Sequence, residues 1–331
     1  MVTSGNQPLG FEAVASEYQR LPSPRTPEPA SPRTREPPKR NMSLQQLVML
    51  AVQVSILSTV FGFGLNATRQ DLVYLLRQPG LLVRSLLAVF VLLPIVAVGL
   101  WLAFDFPQSV KIVLVALALS PVPPILPRKE TGAGGLNSYA LGLMAVLAIV
   151  SIVAVPLGLK FLQLVAGREF EMPPGTIAEV VLKGTILPLL AGMAVRSFLP
   201  ALAARLGPPV ALIAKVLLPA AVLVLFAAAA TSLWALVGDG TVVSMVILTM
   251  AGLAIGHVLG GPHPEQSVVL ALSTACRHPA LALTIATTNF PDRQFGAIIL
   301  MYLIVSGIVC VPYLKWHQRR HVAAADVAPA H

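Results

Sequence analysis

"SVVLALSTACRHPALALTIATT", residues 267–288, is apolar or small at nearly every position except Arg277 and His278, which stand side by side before Pro279. A stretch this long and this apolar reads as a membrane segment. A guanidinium at its centre costs about 2.5–3.5 kcal/mol on insertion scales, so Arg277 must face a partner or a wet cavity. Pro279 removes a helix hydrogen bond at the same place, and irregular backbone at membrane depth is tolerated only where protein or a water-lined cavity covers it. The reading of this one stretch therefore separates a flawed membrane assignment from a helix interrupted for a purpose.

The rest of the chain favours interruption. Of 331 residues, 56% are hydrophobic and only 11% charged, and the mean hydropathy is +0.79. Soluble domains carry about 25% charge, so the chain belongs to the membrane class. The net charge of +9 would suggest nucleic acid in a soluble protein. Here the basic residues lie between apolar runs and at the ends, so they are topology signals and nucleic acid is not an expected partner. Nine segments are expected to cross or enter the bilayer: 44–65, 81–104, 108–127, 136–163, 175–197, 209–236, 240–261, 264–289 and 294–315.

Alternate loops collect Arg69, Arg77 and Arg84, then Arg128 and Lys129, then Arg196 and Arg205, and finally Lys315, Arg319 and Arg320. The opposite set, Lys111, Lys160, Arg168 and Arg293, sits mostly beside the acids Asp105, Glu169 and Asp292. The positive-inside rule then places the C-terminus in the cytoplasm, and nine spans place the N-terminus outside. That conflicts with the basic Lys39 and Arg40. Residues 1–41, including "LPSPRTPEPASPRTREPPKR", are too rich in Pro, Ser and charge to form a core and read either as a disordered tail or as sequence upstream of a true start at Met42. They contain no apolar run of signal-peptide type. The transporter domain is expected over 42–318, with a short tail over 319–331.

A faint internal echo links "ALALSPVPP" (116–124) with "VLALSTACRHP" (269–279): each runs from an apolar helix through Ser into a proline-disrupted stretch. Paired interrupted helices in two halves of a chain point to a transporter's binding site. Cys276 and Cys310 both lie in apolar runs and form no zinc spacing or disulfide framework. His257 and His263 lack companions for a metal site. No phosphate loop, nucleophile elbow or paired-carboxylate pattern is present, so an enzyme is not expected.

At these residues the chain resembles the bile acid:sodium symporter family. "FGFGL" (61–65) followed by "DLVYLLRQPGLLVRS", the break at Ser120-Pro121 leading to Gly134-Gly135, "IGHVLGG", and above all "STACRHPALALTIATTNFP" (273–291) carry the likeness, which spans about 44–315. The resemblance implies an all-α integral membrane protein of two inverted repeats. Two unwound helices cross near the midplane, here 108–134 and 264–289, and a panel domain moves against them. Ten helices are usual; this chain shows nine, with no counterpart of the first panel helix.

The resemblance also implies side-chain ligands for sodium, which this sequence replaces. The Ser-Asn pair of the family falls on Leu126 and Pro127, the following Ser and Thr on Ala140 and Met144, and a Gln on Val89. The acidic ligand falls on Ser273, and the Gln and Asn after it on Arg277 and His278. Sodium requires oxygen ligands and some negative charge; sodium coupling is therefore doubtful, a proton is an alternative, and no cofactor is expected.

The candidate substrate- or ion-binding residues are Ser120, Pro127, Asn137, Ser273, Thr274, Arg277 and His278. Arg277 either grips a substrate carboxylate through its fork or bridges to Glu130 on the opposing helix. His278 either carries a proton or stays neutral on freed backbone. Ser120, Ser273 and Thr274 either line a cavity or bond back to their own helices. Arg128, Lys129 and Glu130 read as solvated loop charge, while Asn137 and Tyr139 are possible polar lining. The functional expectation is a secondary transporter of a small organic anion in the inner membrane. The alternative is a membrane sensor that kept the fold without transport, with a passive channel behind it. Oligomeric state is not legible.

Overall fold

The computed structural model describes residues 43–167 and 169–327; the tail read over 1–41 and the last four residues lie outside them. The described chain is all helical, without strands. Eight stretches among the described residues are long and apolar enough to cross a membrane, one of them the interrupted Pro264–Asn289. In chain order the helices are α1 (Leu44–Asn66), α2 (Pro79–Ala103), α3 (Gln108–Leu119), α4 (Leu126–Gly132), α5 (Asn137–Ala166), α6 (Pro174–Phe198), α7 (Pro200–Ala235), α8 (Thr241–Leu259), α9 (Pro264–Ala275), α10 (Pro279–Asn289) and α11 (Gly296–Val327). The two expected interrupted segments are α3–α4 and α9–α10. Two boundaries differ from the sequence reading. The sixth segment starts at Pro200 rather than 209, with Pro208 and Pro209 inside it, and the last helix runs on to Val327.

Prolines set the breaks. After Leu119, Ser120 turns extended at φ −70° and ψ 150°, because Pro121, Pro123 and Pro124 cannot donate to the helix and crowd the preceding carbonyls. In the second element Cys276 and His278 are both extended before Pro279. A residue preceding proline is pushed out of the helical region, and Pro279 then fits the first turn of α10, where no donor is needed. His278 closes the restart: its Nδ1 accepts the Leu281 amide at 3.3 Å.

Two other helices carry π-turns, at Ala88–Leu92 in α2 and Leu182–Ile186 in α6. Each is followed at once by Leu-Pro, at Pro94 and Pro188. The wider turn shifts the hydrogen-bond register ahead of a residue without an N–H.

The broken elements form the centre. Every residue of α9 from Gln266 to Ala275 is buried, as is α3 from Ile112 to Leu119. A helix buried on all faces lies in the core of a bundle. The long α7, by contrast, exposes Leu212, Ile213, Val216, Leu223 and Trp234, an apolar outer surface suited to lipid. α1 packs between α6 and α7: Gly64 and Gly192 let α1 and α6 touch backbone to backbone, since a Cβ at Gly64 would come within 2.2 Å of the Leu189 carbonyl. Ser55 Oγ donates to the Ala214 carbonyl at 3.2 Å. Gly252, Gly256 and Gly260 similarly bed α8 on the backbone of α9, in the small-residue manner of membrane helix pairs.

Candidate transport site where two broken helices meet

A helix that stops leaves carbonyls without donors. At the end of α3 these belong to Ala118 and Ser120, beside Leu117 O, which already accepts the Ser120 amide at 3.0 Å, and a fourth carbonyl arises in α2. There the π-turn sends the Leu93 amide to the Ala88 carbonyl. The Val89 carbonyl would next look to residue 94, a proline. All four acceptors are met by one side chain. Arg277 Nε donates to Leu117 O at 3.1 Å, and Nη2 donates to Ala118 O at 2.8 Å, to Val89 O at 3.4 Å and to Ser120 O. The main chain joins as well, with the His278 amide donating to Pro121 O at 2.8 Å. Thus the donors of the second break fill the acceptors of the first.

Arg277 is 1% exposed, the largest fully buried side chain among the described residues. Tyr302 of α11 holds its backbone: the phenol accepts the Arg277 amide at 2.8 Å and donates to Ala275 O at 2.9 Å. A guanidinium at the carbonyl end of a helix also opposes the negative pole of the macrodipole. Its second terminal nitrogen, Nη1, is buried and has no partner among the described residues.

The bridge reading of Arg277 does not hold. The ion pairs among the described residues are Lys111–Asp105 and Lys183–Glu179, and Arg277 does not pair with Glu130. Nor is Glu130 a solvated loop charge. It is 1% exposed, because the chain after the first break re-forms a helix and turns its carboxyl inward. Glu130 Oε1 accepts from Ser273 Oγ at 2.6 Å, whereas Oε2 is buried without a partner among the described residues. Arg128 and Lys129 beside it are exposed, as a solvated reading expects.

The remaining candidates divide. Ser120 is buried at the break; its hydroxyl donates to Leu117 O at 2.7 Å and its carbonyl holds Arg277. Pro127 is buried in the first turn of α4. Ser273 joins the crossing through Glu130, but Thr274 bonds back to Leu270 O at 2.7 Å within its own helix. His278 uses Nδ1 as an acceptor and caps α10, the neutral, structural arrangement. Asn137 is exposed at the start of α5, away from the buried contacts. Tyr139 is fully buried and shares a 2.8 Å hydrogen bond with Ser85. Sequence reading missed two further groups: Tyr302, and His317 of α11, whose Nδ1 and Nε2 each lie 2.9 Å from a carbonyl, of Ala133 and Pro264. Only their place on the apolar last helix hinted at burial. Among the described residues no cluster of three metal-ligating side chains forms.

Comparison with known proteins matches this architecture. The "uncharacterized sodium-dependent transporter YocS" of Bacillus subtilis (strain 168) is 21% identical over 264 residues, covering 77% of this chain and 79% of the relative. The sequence profile of the Sodium Bile acid symporter family matches residues 53–237, more than half of the chain, including the whole of the first broken element. The helices of membrane-spanning length, the paired breaks and this match agree: the chain belongs to the sodium bile acid symporter family of multi-pass membrane transporters.

Proposed function

We propose that the protein is a secondary transporter of a small organic anion, working by alternating access in the cell membrane, and that its transport does not require sodium. The observation that carries this reading is the engagement of Arg277 with the carbonyls of Leu117, Ala118, Ser120 and Val89. Unwound carbonyls at a transporter's midplane are places where a cation would be coordinated. Here a tethered cation already occupies them. At the positions where the resemblance would set sodium ligands, Leu126, Pro127, Ala140 and Met144 carry no side-chain oxygen. The YocS relative is named as sodium-dependent, and on this reading the two proteins part at the crossing.

The anion is supported by the charge of Arg277 and by the unpartnered Nη1, which has donors to offer a carboxylate once the crossing opens. α3–α4 and α9–α10 are read as equivalent elements of two inverted repeats, α1, α6 and α7 as the panel, and the C-terminus as cytoplasmic from the Lys/Arg distribution. The test is uptake of radiolabelled cholate, as a probe anion, by proteoliposomes of the purified protein under a sodium gradient, a pH gradient or neither. Uptake indifferent to sodium is expected. Arg277→Ala is expected to abolish it while the protein remains inserted. Uptake driven by a sodium gradient alone would sink the proposal.

A further inference from the structure

We infer that Glu130 is a proton-binding site through which transport is coupled to a proton gradient. This rests on the reading of the chain as a transporter, and it changes which residue carries the coupling: the capping bond occupies His278 Nδ1, so a proton there would break the start of α10.

Glu130 lies on the second half of the first broken element and touches the second through Ser273. Its backbone is fixed, since Glu130 O accepts from the amides of Ala133 at 3.1 Å and Gly135 at 2.9 Å. A Cβ at Gly135 would stand 2.7 Å from that same carbonyl. The turn that carries the side chain is thereby held, and the carboxyl is buried within it at 1% exposure. One carboxyl oxygen has a single hydroxyl donor and the other, Oε2, has none. An ionised carboxylate so poorly compensated is costly in an apolar interior, and the group takes a proton instead.

Among the described residues no cation relieves it. From α9 and the second break it is faced by Ser273 and the Cys276 thiol, and from α5 by the Tyr139 phenol. On α11 the Cys310 thiol lies 3.9 Å from that of Cys276, and the His317 ring is committed to the carbonyls of Ala133 and Pro264. Arg277 is turned to the first break, and Arg128 and Lys129 of α4 point outward. Sodium fits poorly, because the Ser273 hydroxyl aims its hydrogen, not a lone pair, at the carboxylate. Oε2 is the atom that takes up a proton to give the neutral acid. It returns that proton, leaving the carboxylate, when the crossing opens to the other side.

The test uses the full-length purified protein. Infrared difference spectra between acid and alkaline pH are expected to show a protonated-carboxyl band that Glu130→Gln abolishes and Glu130→Asp restores. Glutamine still accepts from Ser273, and equal thermal unfolding of the variant excludes misfolding. In proteoliposomes an inward proton gradient is expected to drive cholate uptake, and Glu130→Gln to reduce it to the level of empty vesicles. A titrating band unchanged in Glu130→Gln overturns the site, as does wild-type uptake indifferent to pH. Loss of the band in the variant with no cholate flux in either protein supports the proton site and instead sinks the transporter reading.

Discussion

The two breaks resemble each other in sequence and differ in what they offer. The first, Ser120–Ile125, is made by three prolines and has no charged side chain; its contribution is carbonyl oxygen. The second, Cys276–His278, is made by one proline and holds the guanidinium and the His278 amide that those oxygens accept. Neither break is tolerable alone in hydrocarbon, where each unmet polar group costs kilocalories. Together they close a hydrogen-bonded junction between elements some 160 residues apart in sequence. The lesson is that an internal echo need not mean duplicated chemistry: one copy became acceptor and the other donor.

The largest effect is expected from removing the donor. Arg277→Ala leaves up to three buried carbonyls unmet, those of Ala118, Ser120 and Val89, since Leu117 O keeps its donors from Ser120, and each orphan costs about 1–3 kcal/mol. Relaxation and entering water make the sum smaller, so a loss of about 3–5 kcal/mol is the expectation, measured by thermal unfolding in detergent. Arg277→Lys should recover only part, because an ammonium has no planar fork to span several acceptors. One addition makes the comparison sharper. If the guanidinium stands in for a free cation, Arg277→Ala should be stabilised by added sodium chloride more than by choline chloride, whereas wild type should not distinguish them. Equal response of both proteins would make Arg277 a plain structural cap.

The beds under the two elements differ as well. The second element rests on α8 through Gly256, where a Cβ would come 2.3 Å from the Leu270 carbonyl and 2.5 Å from Ala271 Cα. The first rests on α5 through Gly158, where a Cβ would meet the Leu119 side chain, with Cδ2 at 2.4 Å. Backbone cannot step aside, but the tip of a leucine can. Gly256→Ala is expected to cost about 1–3 kcal/mol. Gly158→Ala should cost under about 1 kcal/mol, since the helix propensity of alanine offsets the contact. Equal losses in thermal unfolding would show that both beds are equally rigid.

Much of this was legible in the residues. The apolar runs marked each of the eight stretches long enough to cross a membrane, and Ser-Pro and Arg-His-Pro marked both interruptions, because prolines in hydrocarbon have local consequences. The partners of Arg277 were not legible: they are carbonyls, which no side-chain pattern advertises. The fourth, of Val89, depends on a π-turn ahead of Pro94. Glu130 was misread for a related reason. In "PRKETG" it shares a run with two cations that are solvated, and its burial follows only once α4 re-forms after the break. The start of α7 was misplaced because Pro208 and Pro209 look like a boundary, yet a helix in lipid can carry prolines through where neighbours meet its freed groups.

The smallest effect concerns a polar tie outside the membrane, between α1 and α2. Asp71 follows Thr68 in a capping box: its carboxylate accepts the Thr68 amide and hydroxyl, each at 2.7 Å, and also the Ser138 hydroxyl at the start of α5. Partial burial works against its charge. Hydrogen bonds from Ser138 and Thr68, with the attraction of Arg196, outweigh that and hold its pKa below the ordinary 3.8. A lowered carboxylate pKa contributes stability that is fully present above the ordinary value and is lost as pH falls through the folded one. Asp71→Asn keeps acceptors for Thr68 but removes the charge, so it should cost about 1 kcal/mol at neutral pH. The difference from wild type should hold at higher pH and shrink only as the pH falls below the ordinary 3.8. Buried Glu130 is the contrast: Asp71 has three donor groups and water nearby, so its proton is easily kept off, while Glu130 has one. A difference between wild type and Asp71→Asn that persists unchanged in acid would mean that the amide, not the charge, sets the strength of this tie.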